Sequence, residues 1–154
     1  MIFKKPPFVK ILLAEDDEDD RDFFELALIS IYPNADLTTV SNGEELFRFV
    51  NTAESGEIDI IFLDINMPRK NGQECLIEIR TEKKFAHVPV IMLSTSSNPK
   101  DIEDSFLLGA NMYITKSYLL SHLSILKNIL ELHNQGKLLK PDRNKFVFEP
   151  LVNL

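Results

Sequence analysis

The chain has 154 residues, 44% hydrophobic and 27% charged, which suits one domain with its own core and excludes a fibrous or disordered class. Its 24 acidic and 17 basic residues leave a net charge of −7, a surface that repels phosphate backbones and speaks against direct nucleic-acid binding. The single cysteine, Cys75, excludes an internal disulfide and a cysteine-rich metal site, and reads as a small buried hydrophobe.

The start, "MIFKKPPFVK", places a Pro pair after two lysines, and the following "ILLA" is too short for the apolar segment of a secretory leader. No stretch approaches the ~20 apolar residues of a membrane span, so a cytoplasmic protein without membrane contact is expected.

The elements then alternate. "VKILLA" (9–14) predicts a strand and "RDFFELALISIY" (21–32) a helix stopped by Pro33. "DLTTV" (36–40) predicts a strand, and "GEELFRFVNTA" (43–53) a helix with Leu46, Phe47 and Val50 on one face. "DIIFLD" (59–64) is the third strand, followed by the helix "GQECLIEIRTEK" (72–83), with Leu76, Ile79 and Arg80 at helical spacing. "VPVIMLS" (88–94) is the fourth strand, and "NPKDIEDSFLLG" (98–109) a helix opened by Pro99 and closed by Gly109. "NMYIT" (111–115) is the fifth strand and "YLLSHLSILKNILELH" (118–133) one last helix.

Five strand–helix units in strict alternation predict an α/β domain over residues 8–135. It is a doubly wound, five-stranded parallel sheet with helices on both faces. Near-continuous apolar strands are core on both sides, so only their ends can carry chemistry. In such sheets ligands sit outside the carboxyl ends of the strands. Those ends carry Glu15 and Asp16 on the first strand, Asp64 on the third, Ser94 on the fourth and Lys116 after the fifth. Carboxylates gathered in one cleft are costly without a cation, and an oxygen-only donor set suits Mg²⁺. A lysine and a hydroxyl beside such an ion suit a phosphoryl group.

The ordered set "LLAEDD", "FLDINMPRKNG", "IMLSTS" and "MYITKS" resembles the receiver domain of bacterial two-component response regulators, a flavodoxin-like fold, over nearly the whole chain. The resemblance implies a phosphorylation-controlled switch in a phosphorelay, with no enzymatic role beyond its own phosphoryl transfer and slow self-dephosphorylation. In it Asp64 accepts the phosphoryl group from a sensor histidine kinase. Asp16 binds Mg²⁺ directly, Glu15 reaches it through water, Asp64 joins them, and Asn66 contributes a backbone carbonyl. Ser94 hydrogen-bonds one phosphoryl oxygen and Lys116 pairs with another, while Tyr113 swings inward as the hydroxyl moves. Pro68 and Gly72 turn the chain into the third helix. Two departures stand out: Ser117 follows Lys116 where the family commonly has proline, and Ser94 stands where threonine is commoner.

Other readings have weaker support. A hydrolase of the haloacid-dehalogenase type wants a carboxylate at position 66, where Asn66 stands, and a flavodoxin-like carrier wants a hydroxyl- and glycine-rich loop where this chain has acids. A phosphate-independent pseudo-receiver, acting as an interaction module, is the main alternative. No glycine-rich nucleotide loop occurs, and His87, His122 and His133 lack metal-ligand spacing and are expected to face solvent. The rest of the run at Asp17, Glu18, Asp19 and Asp20 reads as a solvated helix start.

The stretch after the last helix, 136–154, is too short for an output module, so output is expected through a downstream protein or a phosphotransfer partner. Its segment "KPDRNKFVFEPLVNL" is apolar enough to dock on the sheet edge, the last helix or a second subunit. A homodimer through that tail, or through the face of the fourth helix, fifth strand and last helix, is also expected.

Overall fold

The computed structural model describes residues 9–138 and 142–148. The Lys–Pro start, and residues 139–141 and 149–154 of the tail, lie outside them. Strands β1 (Lys10–Ala14), β2 (Asp36–Val40), β3 (Ile60–Asp64), β4 (Val90–Ser94) and β5 (Met112–Thr115) form one parallel sheet in the order β2-β1-β3-β4-β5. Helices α1 (Glu18–Ile31), α2 (Gly43–Val50), α3 (Gly72–Thr81), α4 (Pro99–Leu107), α5 (Lys116–Ser121) and α6 (Leu123–Asn134) cover it. The fold is the doubly wound, flavodoxin-like arrangement expected from the alternation.

Strand parity builds two cores. Ile11, Leu13, Ile60, Phe62, Ile91, Leu93 and Ile114 point toward α1 and α6, where Phe24 meets Phe62 edge-on at 5.0 Å. Leu12, Ala14, Ile61, Leu63, Met92 and Tyr113 point the other way, toward Leu46, Leu76 and Ile79. All five β3 residues are buried, as an apolar central strand requires.

Local signals set the helix starts. Asp17, Asn42, Asn71 and Asn98 each accept a backbone N–H of the first turn through the side chain, and Asn71 with Glu74 forms a full capping box. Three expectations change. The predicted last helix is two, because His122 leaves helical backbone at φ −135° and ψ 89°, and Leu123 starts a new helix. Phe47 does not share the buried face of Leu46 and Val50: it is about half exposed, and the Lys70 ammonium lies 5.2 Å from its ring centroid. His133, unlike the exposed His87 and His122, is half-buried on α6, which pulls its pKa below the ordinary value.

Opposite the carboxyl ends, the Arg80 guanidinium ties together the amino ends of β4 and β5 and the segment after α3. It donates to the carbonyls of Gly109 (3.0 Å), Phe85 and Val88 (both 2.9 Å) and to Asn111 Oδ1 (2.9 Å). Asn111 Oδ1 also accepts from Val90 N–H, at the first residue of β4.

The turn after β3 depends on one close approach. Gly72 N–H bonds the Ile65 carbonyl at 2.8 Å, and a β-carbon at Gly72 would stand 2.3 Å from the Asp64 carbonyl oxygen. The clash is with backbone and cannot be relieved by a rotamer change. Gly72→Ala is therefore expected to cost about 3 kcal/mol, read by urea unfolding, and to disturb Asp64 directly. A loss within a few tenths would mean that α3 slides freely.

Candidate functional site

The carboxyl ends of β1, β3 and β5 meet at one cluster. Glu15 continues β1, held by its N–H to the Val40 carbonyl at 3.0 Å, and Asp16 follows at the surface. Asp64 closes β3 with no exposed surface. One carboxylate oxygen from each of Glu15, Asp16 and Asp64 lies within 4.8 Å of the others. Lys116, the first residue of α5, brings its ammonium to Glu15 Oε2 at 3.0 Å, Asp20 Oδ2 at 3.1 Å and Asp64 Oδ2 at 3.5 Å.

Three carboxylates therefore surround one ammonium, with Asp16 beside two of them, and the electrostatics follow. Burial first, and the neighbouring Glu15 charge second, push the Asp64 carboxyl up to about 8, although Asn66 N–H donates to its Oδ1 at 3.0 Å. Burial also raises Glu15, against its bonds to the Lys116 ammonium and the Asp17 N–H. For Lys116 burial opposes the charge, but Glu15, Asp64 and Asp20 together more than offset it and hold the group above its usual value. Two buried acids sharing one cation are under-neutralised. A divalent cation at Glu15, Asp16 and Asp64 fits this donor set: all hard oxygens, one of them open to solvent.

The other predicted residues divide in placement. Asn66 lies in the turn after Asp64 with its side chain exposed and its backbone N–H committed to Asp64. Ser94 is fully buried at the end of β4, where its Oγ accepts from Ser96 N–H at 3.2 Å. Tyr113 is not beside the carboxylates. It lies inward in the α3-side core, and its hydroxyl donates to the Ser96 carbonyl at 3.0 Å. Pro68 is exposed, while Arg69 at φ 71° takes the left-handed step of the turn. Ser117 is exposed in the first turn of α5, which begins directly at Lys116 with no intervening loop.

Sequence reasoning missed Asp20 and Arg21. Asp20 is no solvated helix start: it pairs with Lys116 across a separation of 96 residues. The Arg21 guanidinium donates to the Glu15 carbonyl at 2.8 Å and fixes the end of β1. No local sign marked Asp20, which sits in an acidic run of residues like itself.

The comparisons agree with the geometry. The sequence profile described as "Response regulator receiver domain" matches residues 11–135. Over 118 residues the chain is 34% identical to response regulator Rcp1 of Synechocystis sp., a match spanning 73% of this chain and 78% of that protein. It is 26% identical over 110 residues to a Campylobacter jejuni chemotaxis protein CheY homolog, spanning 71% of this chain and 82% of that one. Among solved structures, the phosphorylated cyanobacterial phytochrome response regulator RcpA superposes with a TM-score of 0.74 at 37% identity, over 81% of this chain and 93% of that chain. The Mn²⁺-bound form of response regulator Rcp1 superposes at 0.70 with 29% identity, over 82% and 95%. With its sheet order, its cluster of strand-end acids and these matches, the chain belongs to the response regulator receiver domain family.

Proposed function

We propose that this chain is a cytoplasmic switch of a two-component phosphorelay that takes a phosphoryl group from a sensor histidine kinase onto Asp64. The observation that carries the reading is the meeting of Asp64 with Glu15 and Asp16 inside 4.8 Å, with the Lys116 ammonium 3.5 Å from Asp64. Further support is that one relative was crystallised phosphorylated and another with Mn²⁺ bound. No helix among the described residues is long and apolar enough to cross a membrane.

The Asp64 carboxylate attacks the phosphorus of the donor, forming an O–P bond as the donor's N–P bond breaks and the imidazole leaves. Lys116 neutralises charge on the transferring oxygens, and the Ser94 hydroxyl donates to one of them once it turns from the Ser96 N–H. Glu15, Asp16, Asp64 and the Asn66 carbonyl would hold Mg²⁺, which supplies charge neutralisation to the phosphoryl oxygens and the acids alike. The new charge of about −2 favours an inward Tyr113 and so biases the face of α4, β5 and the last helical segment, α5 with α6, where a downstream protein or a phosphotransfer partner reads it. A homodimer over that face must accommodate residues 142–148, where Val147 bridges to Tyr113 of β5.

Intact-mass spectrometry after incubation with acetyl phosphate tests this. A gain of one phosphoryl mass that needs Mg²⁺ and is absent in Asp64→Asn is expected. No gain in either protein would support the pseudo-receiver, whose partners bind the unmodified chain.

A further inference from the structure

Residues 142–148 lie along the outer edge of β5, and one residue connects them to the site. Tyr113 donates its N–H to the Phe146 carbonyl at 3.0 Å and accepts the Phe148 N–H at 2.8 Å, closing a parallel bridge to Val147. Phe146 is 1% exposed; its ring meets Phe106 of α4 edge-on at 5.2 Å and leans on the Tyr113 ring at 6.4 Å. Arg143 pairs with Glu103 of α4 and places its guanidinium 4.7 Å from the Phe106 centroid. The contacts continue inward, from the Tyr113 hydroxyl to the Ser96 carbonyl and from Ser96 N–H to Ser94 Oγ.

We propose that residues 142–148 are an intramolecular clamp that holds Tyr113 inward and thereby pre-sets the Ser94–Ser96 segment beside Asp64. The physical basis is that, among the described residues, the main-chain hydrogen bonds between the tail and β5 fall on Tyr113, and the buried Phe146 ring is walled by Phe106 on one side and the Tyr113 ring on the other. A Tyr113 that leaves the core takes a wall of the Phe146 pocket with it, so tail docking and the inward tyrosine stabilise each other. Without the tail, β5 presents an open strand edge. The last link, from Ser94 to a phosphoryl group, rests on the receiver reading; the link from tail to Tyr113 does not. Because coupling between sites is reciprocal, occupancy at Asp64 tightens the tail by the factor by which the tail tightens binding at Asp64. The clamp thus covers the β5 edge most firmly in the charged state, and a partner reading that state meets Phe106, Arg143 and the tail as one surface.

Amide hydrogen exchange on the full chain, at two protein concentrations, tests the clamp. Phe146→Ala is expected to speed exchange at the Tyr113 and Phe148 amides about tenfold while leaving Ile61 and Phe62 unchanged. In a beryllofluoride titration with Mg²⁺, the same variant binds about fivefold more weakly or worse, and saturating wild type slows the Phe148 amide. Tyr113→Phe keeps the tail protected but loses the difference in beryllofluoride affinity. A Phe148 amide that exchanges at a free-peptide rate overturns the clamp. So does protection that grows with protein concentration, which would place a second copy's tail on this edge. Equal beryllofluoride affinity in wild type and Phe146→Ala overturns the coupling to the site. Failure of both to bind it counts against the receiver reading, and the clamp is then decided by the exchange rates alone.

Discussion

Lys116→Met, in magnesium-free buffer near neutral pH, is expected to lose about 3 kcal/mol of folding stability. The substitution keeps the apolar stem but removes the one cation that Glu15, Asp20 and Asp64 share, at 3.0, 3.1 and 3.5 Å. Asp64 still holds its proton at this pH, so the orphaned charge is that of Glu15, which is buried where little water reaches it. Two corollaries make the prediction specific. Adding Glu15→Gln to Lys116→Met recovers part of the loss, because one fewer acid needs a partner. Mg²⁺ stabilises the variant more than wild type, because it replaces a cation that is missing. Urea unfolding of the three proteins, with and without Mg²⁺, decides the matter; an unchanged midpoint for Lys116→Met would mean that the ammonium does not neutralise the cluster.

The second large effect is on pH dependence. Asp64 stands at about 8 in the folded chain against an ordinary 3.8. Below the ordinary value both folded and unfolded states carry the proton, and stability is at its fullest. As pH rises from there, the unfolded chain ionises freely while the folded chain keeps its proton, so stability falls until pH passes about 8 and then levels. The raised Glu15 adds a loss of the same sign. Asp64→Asn removes most of this slope and, at the alkaline end, is more stable than metal-free wild type by about 2 kcal/mol or more. Mg²⁺ acts in the opposite sense, since its ligands must be deprotonated, and its affinity climbs across the same window. Denaturant midpoints over a pH series with and without Mg²⁺ give both curves; a flat metal-free wild-type curve would remove the basis for the buried acid pair.

The strands were legible because burial on both faces leaves a mark that needs no partner: "IIFL" and "VIML" read as core at any sheet position. The site was legible for a related reason, since a chemistry-bearing residue directly after such a run has nowhere to go but the carboxyl end of the sheet. What escaped was long-range or geometric. Asp20 looks like its neighbours Asp19 and Glu18, and only the path of Lys116, 96 residues on, separates it from them. The break at His122 has no proline or glycine to announce it. Phe47 sits at an apolar position by sequence, yet one step of helical rotation puts it outside. Tyr113 could be assigned to a core from strand parity, but that its backbone would carry the tail depends on β5 being an edge strand, which strand order alone decides.

The Arg80 hub at the amino pole gives the domain a mechanical polarity. Four hydrogen bonds from one side chain, and a fifth through Asn111, fasten the starts of β4 and β5 to the end of α3. At the opposite pole the same two strands end on the paired residues Ser94 and Thr115, so the hub and the carboxylate cluster stand at opposite ends of the sheet. Anchorage at one pole and chemistry-bearing side chains at the other are carried by different residues of the same two strands, so loss of Arg80 is expected to lower stability without touching the carboxylates.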